Sequence, residues 1–176
     1  MRKWVPLVSL FVCFMGSRLP AQPRAGSPLP ITHARTLSGA AITLPAADHA
    51  ATLIFAGFSK NSSASVKAWW LRAKALCQAH PQVACYRAAV LQDAPGFIRG
   101  MIVSSMKKDM TPAEQEGFLT VFENEPAWKQ SFAFGAEDDA YVALFDKNGK
   151  LLWRTSGGEM AANPAALAPA FDAAPK

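Results

Sequence analysis

The chain has 176 residues, about half of them apolar, with 18 Lys and Arg against 13 Asp and Glu. That length holds one domain with a real core. Much of the basic excess lies in Arg2, Lys3 and Arg18 at the start. Without them the charges nearly balance, and no basic stripe remains to argue for nucleic acid.

Arg2 and Lys3 precede an apolar run over residues 4–15, and small residues follow up to Ala21. This is the layout of a secretory signal peptide over residues 1–21. The run is shorter than the roughly 20 apolar residues a bilayer span needs, so the mature chain carries no span. The alternative is an uncleaved N-terminal segment that holds the chain to a membrane. An exported chain belongs in a periplasmic or extracellular compartment. Residues 22–36 are rich in Pro, Ser, Arg and Ala with no hydrophobic period, and read as a flexible linker. The folded domain is expected over residues 37–172.

Gly39 gives a turn, and Ile42 to Pro45 a short extended piece. Residues 51–58 are a short apolar run, as expected of a strand covered on both faces. Ser62 or Ser63 is placed to cap the helix that follows. In that helix Val66, Trp69, Trp70, Ala73, Leu76 and Cys77 recur at helical spacing. His80-Pro81 ends it. Residues 82–92 read as the next strand, closed by Asp93-Ala94-Pro95-Gly96. Residues 97–108 read as a helix with Ile98, Met101, Ile102 and Met106 on one face. Thr111-Pro112-Ala113-Glu114 is a capped helix start, and that helix is expected to carry Phe118, Leu119 and Phe122 inward. Residues 126–132 add a helical turn. Residues 140–154 read as a hairpin closed by Asn148-Gly149, and residues 163–171 as a final helix. Strand, helix, strand, helices, hairpin, helix implies an α/β fold. Its mixed sheet combines a β-α-β unit with a C-terminal antiparallel hairpin, and has helices on both faces.

Three residue groups compete for a functional role. Ser59, Lys60, Asn61, Ser62 and Ser63 stand at a strand-to-helix junction, where free backbone N–H groups and Lys60 form a candidate anion or ligand site. The other reading is helix capping with Lys60 in solvent. Cys77 and Cys85 remain after Cys13 leaves with the leader. They are a candidate disulfide, two unpaired thiols, or the nucleophiles of a divergent thiol enzyme. The adjacent Trp69 and Trp70 diverge by about 100° on a helix, so one of them is a candidate partner surface. His33, His49 and His80 lack metal spacing, and no cofactor-binding motif occurs.

Gly39 through Pro45, the strand ending Ala56-Gly57-Phe58-Ser59, and the run Phe145-Asp146-Lys147-Asn148-Gly149-Lys150-Leu151-Leu152-Trp153-Arg154 resemble a thioredoxin-like domain. Within that superfamily the chain looks most like the cysteine-free branch that includes the mitochondrial ATP synthase assembly factor. A redox member places a low-pKa cysteine at the helix start, which here falls between Ser59 and Ser63, where none exists. It also places a cis-proline before the strand that begins near Tyr141, where this chain has Asp138-Asp139-Ala140. The resemblance therefore implies a non-redox binding or assembly factor with no cofactor. Its partner would be another protein, such as a membrane complex. The rival is a thiol-disulfide oxidoreductase or peroxidase using Cys77 and Cys85.

Overall fold

A computed structural model describes residues 27–175. The expected leader and its cleavage site lie outside the described residues. Seven strands form one sheet: β1 (Thr32–Thr36), β2 (Ala41–Leu44), β3 (Ala51–Gly57), β4 (Val83–Val90), β5 (Phe118–Val121), β6 (Ala140–Asp146) and β7 (Leu151–Gly157). Five α-helices accompany them among the described residues: α1 (Ser63–Ala79), α2 (Gly96–Lys108), α3 (Pro112–Glu116), α4 (Glu125–Phe132) and α5 (Pro164–Asp172). The strand order is β2-β1-β5-β4-β3-β6-β7. β3, β4 and β5 run parallel, and the flanking pairs are antiparallel.

β3 is buried along its whole length because both sheet faces are covered. Its alternate residues Leu53 and Phe55 meet Val66, Trp69 and Ala73 of α1 and Leu167, Ala170 and Phe171 of α5. Ile54 and Ala56 point the other way, into a layer with Trp128 and Phe132 of α4 and Tyr141 and Phe145 of β6. Each such large side chain contributes about 1.5–3 kcal/mol on burial. The hairpin turns at Gly149, whose φ of 80° suits glycine, while Asp146 Oδ1 accepts from the amides of Asn148 and Lys150 at 2.8 and 2.9 Å.

Four expectations need correction. The end of the expected linker is a strand. Thr32, Ala34 and Thr36 alternate inward, and two threonines hide that alternation from a hydrophobic count. The strand start and the segment before it are pinned as well: Trp128 Nε1 donates to Thr32 Oγ1 at 2.9 Å, and Ser131 Oγ to the Pro28 carbonyl at 2.7 Å. The helix that starts at Thr111 has its capping box but stops at Gly117. Phe118 and Leu119 then lie in β5, buried on both faces. In α2, Met101 departs from the half-buried Ile98, Ile102 and Met106 and is 67% exposed. Last, Ser62 is the N-cap of α1 but makes no side-chain cap bond.

Candidate functional site

The junction between β3 and α1 is built from hydroxyls that satisfy one another. Ser59 Oγ accepts from the Ser62 amide at 3.2 Å, and Ser62 Oγ donates to the Ser59 carbonyl at 2.9 Å. Ser63 Oγ donates to the Lys60 carbonyl at 2.7 Å. Ser62 is fully buried, while Lys60, Asn61 and Ser63 are exposed. Gly57 makes this possible, since a Cβ there would stand 2.5 Å from Ser62 Oγ. Ser59 and Ser62 thus sit in the i, i+3 relation of a helix-start dithiol, with oxygen in place of sulfur. That spacing is visible in the sequence, within the run already singled out.

Two further serine bonds close the junction against the lead-in to β6. Ser59 Oγ donates to the Glu137 carbonyl at 2.7 Å, and Ser65 Oγ to the Asp138 carbonyl at 2.8 Å. The residue before β6 is Asp139, not proline. Beside this seam, Phe58 packs edge-on against Phe132, Phe134 and Tyr141. The Tyr141 hydroxyl accepts from the amides of Gly135 and Ala136 at 2.8 and 2.7 Å and donates to the Ala136 carbonyl at 2.8 Å. The loop facing the serines carries Glu137, Asp138 and Asp139. Their charge opposes an anion there, and the hydroxyls of Ser59, Ser62 and Ser63 are already spent on the fold.

The two cysteines lie at the other end of α1. Cys77 and Cys85 form a disulfide with their Cα atoms 6.2 Å apart, tying the last turn of α1 to β4. At 1.5 Å per residue, Cys77 is about 21 Å along the helix from Ser63. The bridge forms part of the wall of an open groove of about 320 Å³, which is also lined by Trp70, Lys74, His49 and Tyr86. Burial pushes the Tyr86 phenol up, and Asp48 adds to the shift. Hydrogen bonding to His49 holds the Asp48 carboxyl down. Behind Trp70 lies Arg87, 5% exposed. Its guanidinium carbon is 5.2 Å from the Trp70 ring centre and 5.0 Å from that of Phe118. Nη2 donates to the Glu114 carbonyl at 2.9 Å, while Nε has no partner among the described residues.

The tryptophan pair divides as helical geometry requires. Trp69 is a core residue, 1% exposed, and its Nε1 donates to the Gly157 carbonyl at 3.0 Å; as a partner surface it is ruled out. Trp70 is half-buried, edge-on to Phe55. The three histidines stay apart. His33 contacts Thr43, His49 contacts Asp48, and His80 donates to the Leu76 carbonyl.

No protein-family model matches the sequence, and no curated protein matches it. Solved structures do match. The exposed lipoprotein thioredoxin Etrx1 of Streptococcus pneumoniae strain TIGR4 superposes with a TM-score of 0.56 at 11% identity, over 81% of this chain and 98% of that one. The thioredoxin domain of a thiol-disulfide oxidoreductase from Bacteroides vulgatus gives 0.52 at 12% identity, over 76% and 89%. The chain has a thioredoxin-like fold. BsSco, a member of the Sco family of cytochrome c oxidase assembly proteins, shares it, with a TM-score of 0.56 at 10% identity over 84% of this chain and 94% of that one. At such identities the likeness fixes the thioredoxin-like architecture alone. Among the described residues no helix is long and apolar enough to cross a membrane.

Proposed function

We propose that this chain is an exported, non-redox protein that uses a thioredoxin-like scaffold to bind another protein, in an assembly or chaperone-like role. The observation that carries the proposal is the serine-filled junction. Thiol chemistry in this architecture needs a thiolate at the helix start, where the macrodipole stabilises it. Here Ser59 and Ser62 occupy that place, and Ser59 and Ser65 fasten it to residues 137 and 138. A hydroxyl bonded only to backbone groups, with no base to take its proton, is not activated as a nucleophile. The disulfide, about 21 Å down the helix, lacks that position and joins a helix end to a strand, as a structural bridge does.

A Sco-family assembly protein among the matching structures accords with an assembly role. So does the likeness to the cysteine-free branch that includes the mitochondrial ATP synthase assembly factor, which we propose as the finer affinity. Export accords with the leader-like start and with a disulfide-bonded cysteine pair.

The test is a pair of assays on the purified protein. Insulin reduction and peroxide consumption should run at background, unchanged in the Cys77→Ser/Cys85→Ser variant. Mild co-purification from the native envelope should return a partner in fixed stoichiometry. Turnover abolished by that double substitution would overturn the proposal, as would a protein recovered alone from its own compartment. Intact mass with and without reductant reports leader removal and the bridge together.

A further inference from the structure

The sheet has an opening beside the lower half of β4. Even-numbered residues of this stretch turn their peptide groups toward β3, as the Ala50 amide bonded to the Gln82 carbonyl at 3.0 Å shows. Odd-numbered residues turn the other way, so that the Arg87 amide donates to the Gly117 carbonyl at 2.9 Å and the Leu91 amide to the Val121 carbonyl at 2.7 Å. β5, however, pairs only with Arg87 through Val90. Val83 and Cys85 therefore direct their groups past its end. The Val83 amide is taken by the His80 carbonyl at 2.9 Å. The Val83 carbonyl and both peptide groups of Cys85 have no partner among the described residues. This short unpaired edge runs along the groove between Trp70 and Lys74 of α1 on one side and Tyr86 and His49 on the other.

We propose that this groove receives an extended segment of a partner protein by strand addition, with an acidic side chain of that segment directed to Lys74. This rests on the reading of the chain as a binding protein and names the surface it uses. The backbone complement is an extended chain, since the free donor and acceptors at Cys85 and Val83 match one rung of a ladder. The charge complement is negative. Lys74 lines the groove from α1, a helix with no acidic residue, and Arg87 lies behind Trp70. Asp48 hydrogen-bonds His49, and Glu114 is held in the α3 capping box. Successive side chains of an added strand point to opposite faces, so alternate residues meet Trp70 with Lys74, or Tyr86.

The test uses the full chain, oxidised and isotope-labelled, with an acetylated peptide of alternating Glu and Val as probe. In the free protein the Cys85 amide should exchange with solvent much faster than those of Ala84 and Tyr86. Saturating peptide should slow that exchange about tenfold or more. N-methylating alternate peptide nitrogens should weaken binding about tenfold, a change of about 1.4 kcal/mol. A Lys-Val peptide should bind worse than Glu-Val, and Lys74→Glu should reverse that order. A Cys85 amide already protected in the free protein overturns the proposal, as does binding that ignores N-methylation. Partner recovery with Lys74→Glu/Tyr86→Ala separates the two ideas. A partner held equally by this variant removes the groove and leaves the binding function. A peptide that protects Cys85, with no partner recovered from either form, removes the function and leaves the groove.

Discussion

Replacing Cys77 and Cys85 together by serine removes a bridge between residues eight apart in sequence. In the loop-entropy model, a closure of that size takes about 8 cal/mol/K from the unfolded chain, or about 2.5 kcal/mol at 25 °C. The replacement is nearly isosteric and both positions are only half-buried, so packing changes add little. Urea unfolding should lose about 2–3 kcal/mol. The slope against urea should rise, because the unbridged chain exposes more surface when it unfolds. The melting temperature should fall by about 5–10 °C for a domain of this size. Folded-state spectra should be unchanged apart from residues around the last turn of α1. A loss below about 1 kcal/mol with an unchanged slope would refute the reasoning. It would mean that the unfolded chain already holds the two segments together, or that strain in the bridged form cancels the gain.

Trp69→Phe should cost about 2 kcal/mol, through the lost bond to Gly157 and the space left in the core, while Trp70→Phe costs under about 1; equal losses in chemical denaturation would contradict the assigned burial. Glu114 accepts from Thr111, and that bonding holds its carboxyl below the ordinary value of 4.5. Its stabilisation is therefore full above the unfolded-state pKa and lost as pH falls through the lower folded value. Glu114→Gln should destabilise by under about 1 kcal/mol at pH 7 and match the parent at low pH; a gap that persists in acid speaks against this. In Ser59→Cys/Ser62→Cys, the new thiols should oxidise to a second bridge in air, detected by intact mass after alkylation, and a pair fully alkylated without reductant would show that the serine geometry does not bring the side chains together.

What the sequence disclosed tracks how local each signal was. β3, the α1 stripe and the Asn148-Gly149 hairpin each carry their periodicity or turn chemistry within a few residues, and all three stand where expected. Cys77 and Cys85 are legible as a candidate pair because they are the two cysteines left once the leader is removed. β1 escaped notice because threonine faces the core at two of its three inward positions. β5 escaped because the spacing of Phe118, Leu119 and Phe122 also fits a helix; Gly117, which ends α3, was the available stop signal. The seam at the junction was beyond reach, since it joins residues 59 and 65 to carbonyls more than 70 positions away. The gap beside Cys85 is a property of how far another strand extends, and no local pattern encodes it.

Arg87 has a consequence for how this surface would respond to its medium. A lysine ammonium in open water loses most of its reach within about 8 Å at physiological ionic strength. A guanidinium held between two aromatic rings and shielded from solvent is screened far less. Burial draws its pKa down, yet arginine keeps its proton throughout the working range. Attraction at the neighbouring surface therefore has two components: one at Lys74 that brine erases, and one beneath Trp70 that brine leaves largely intact.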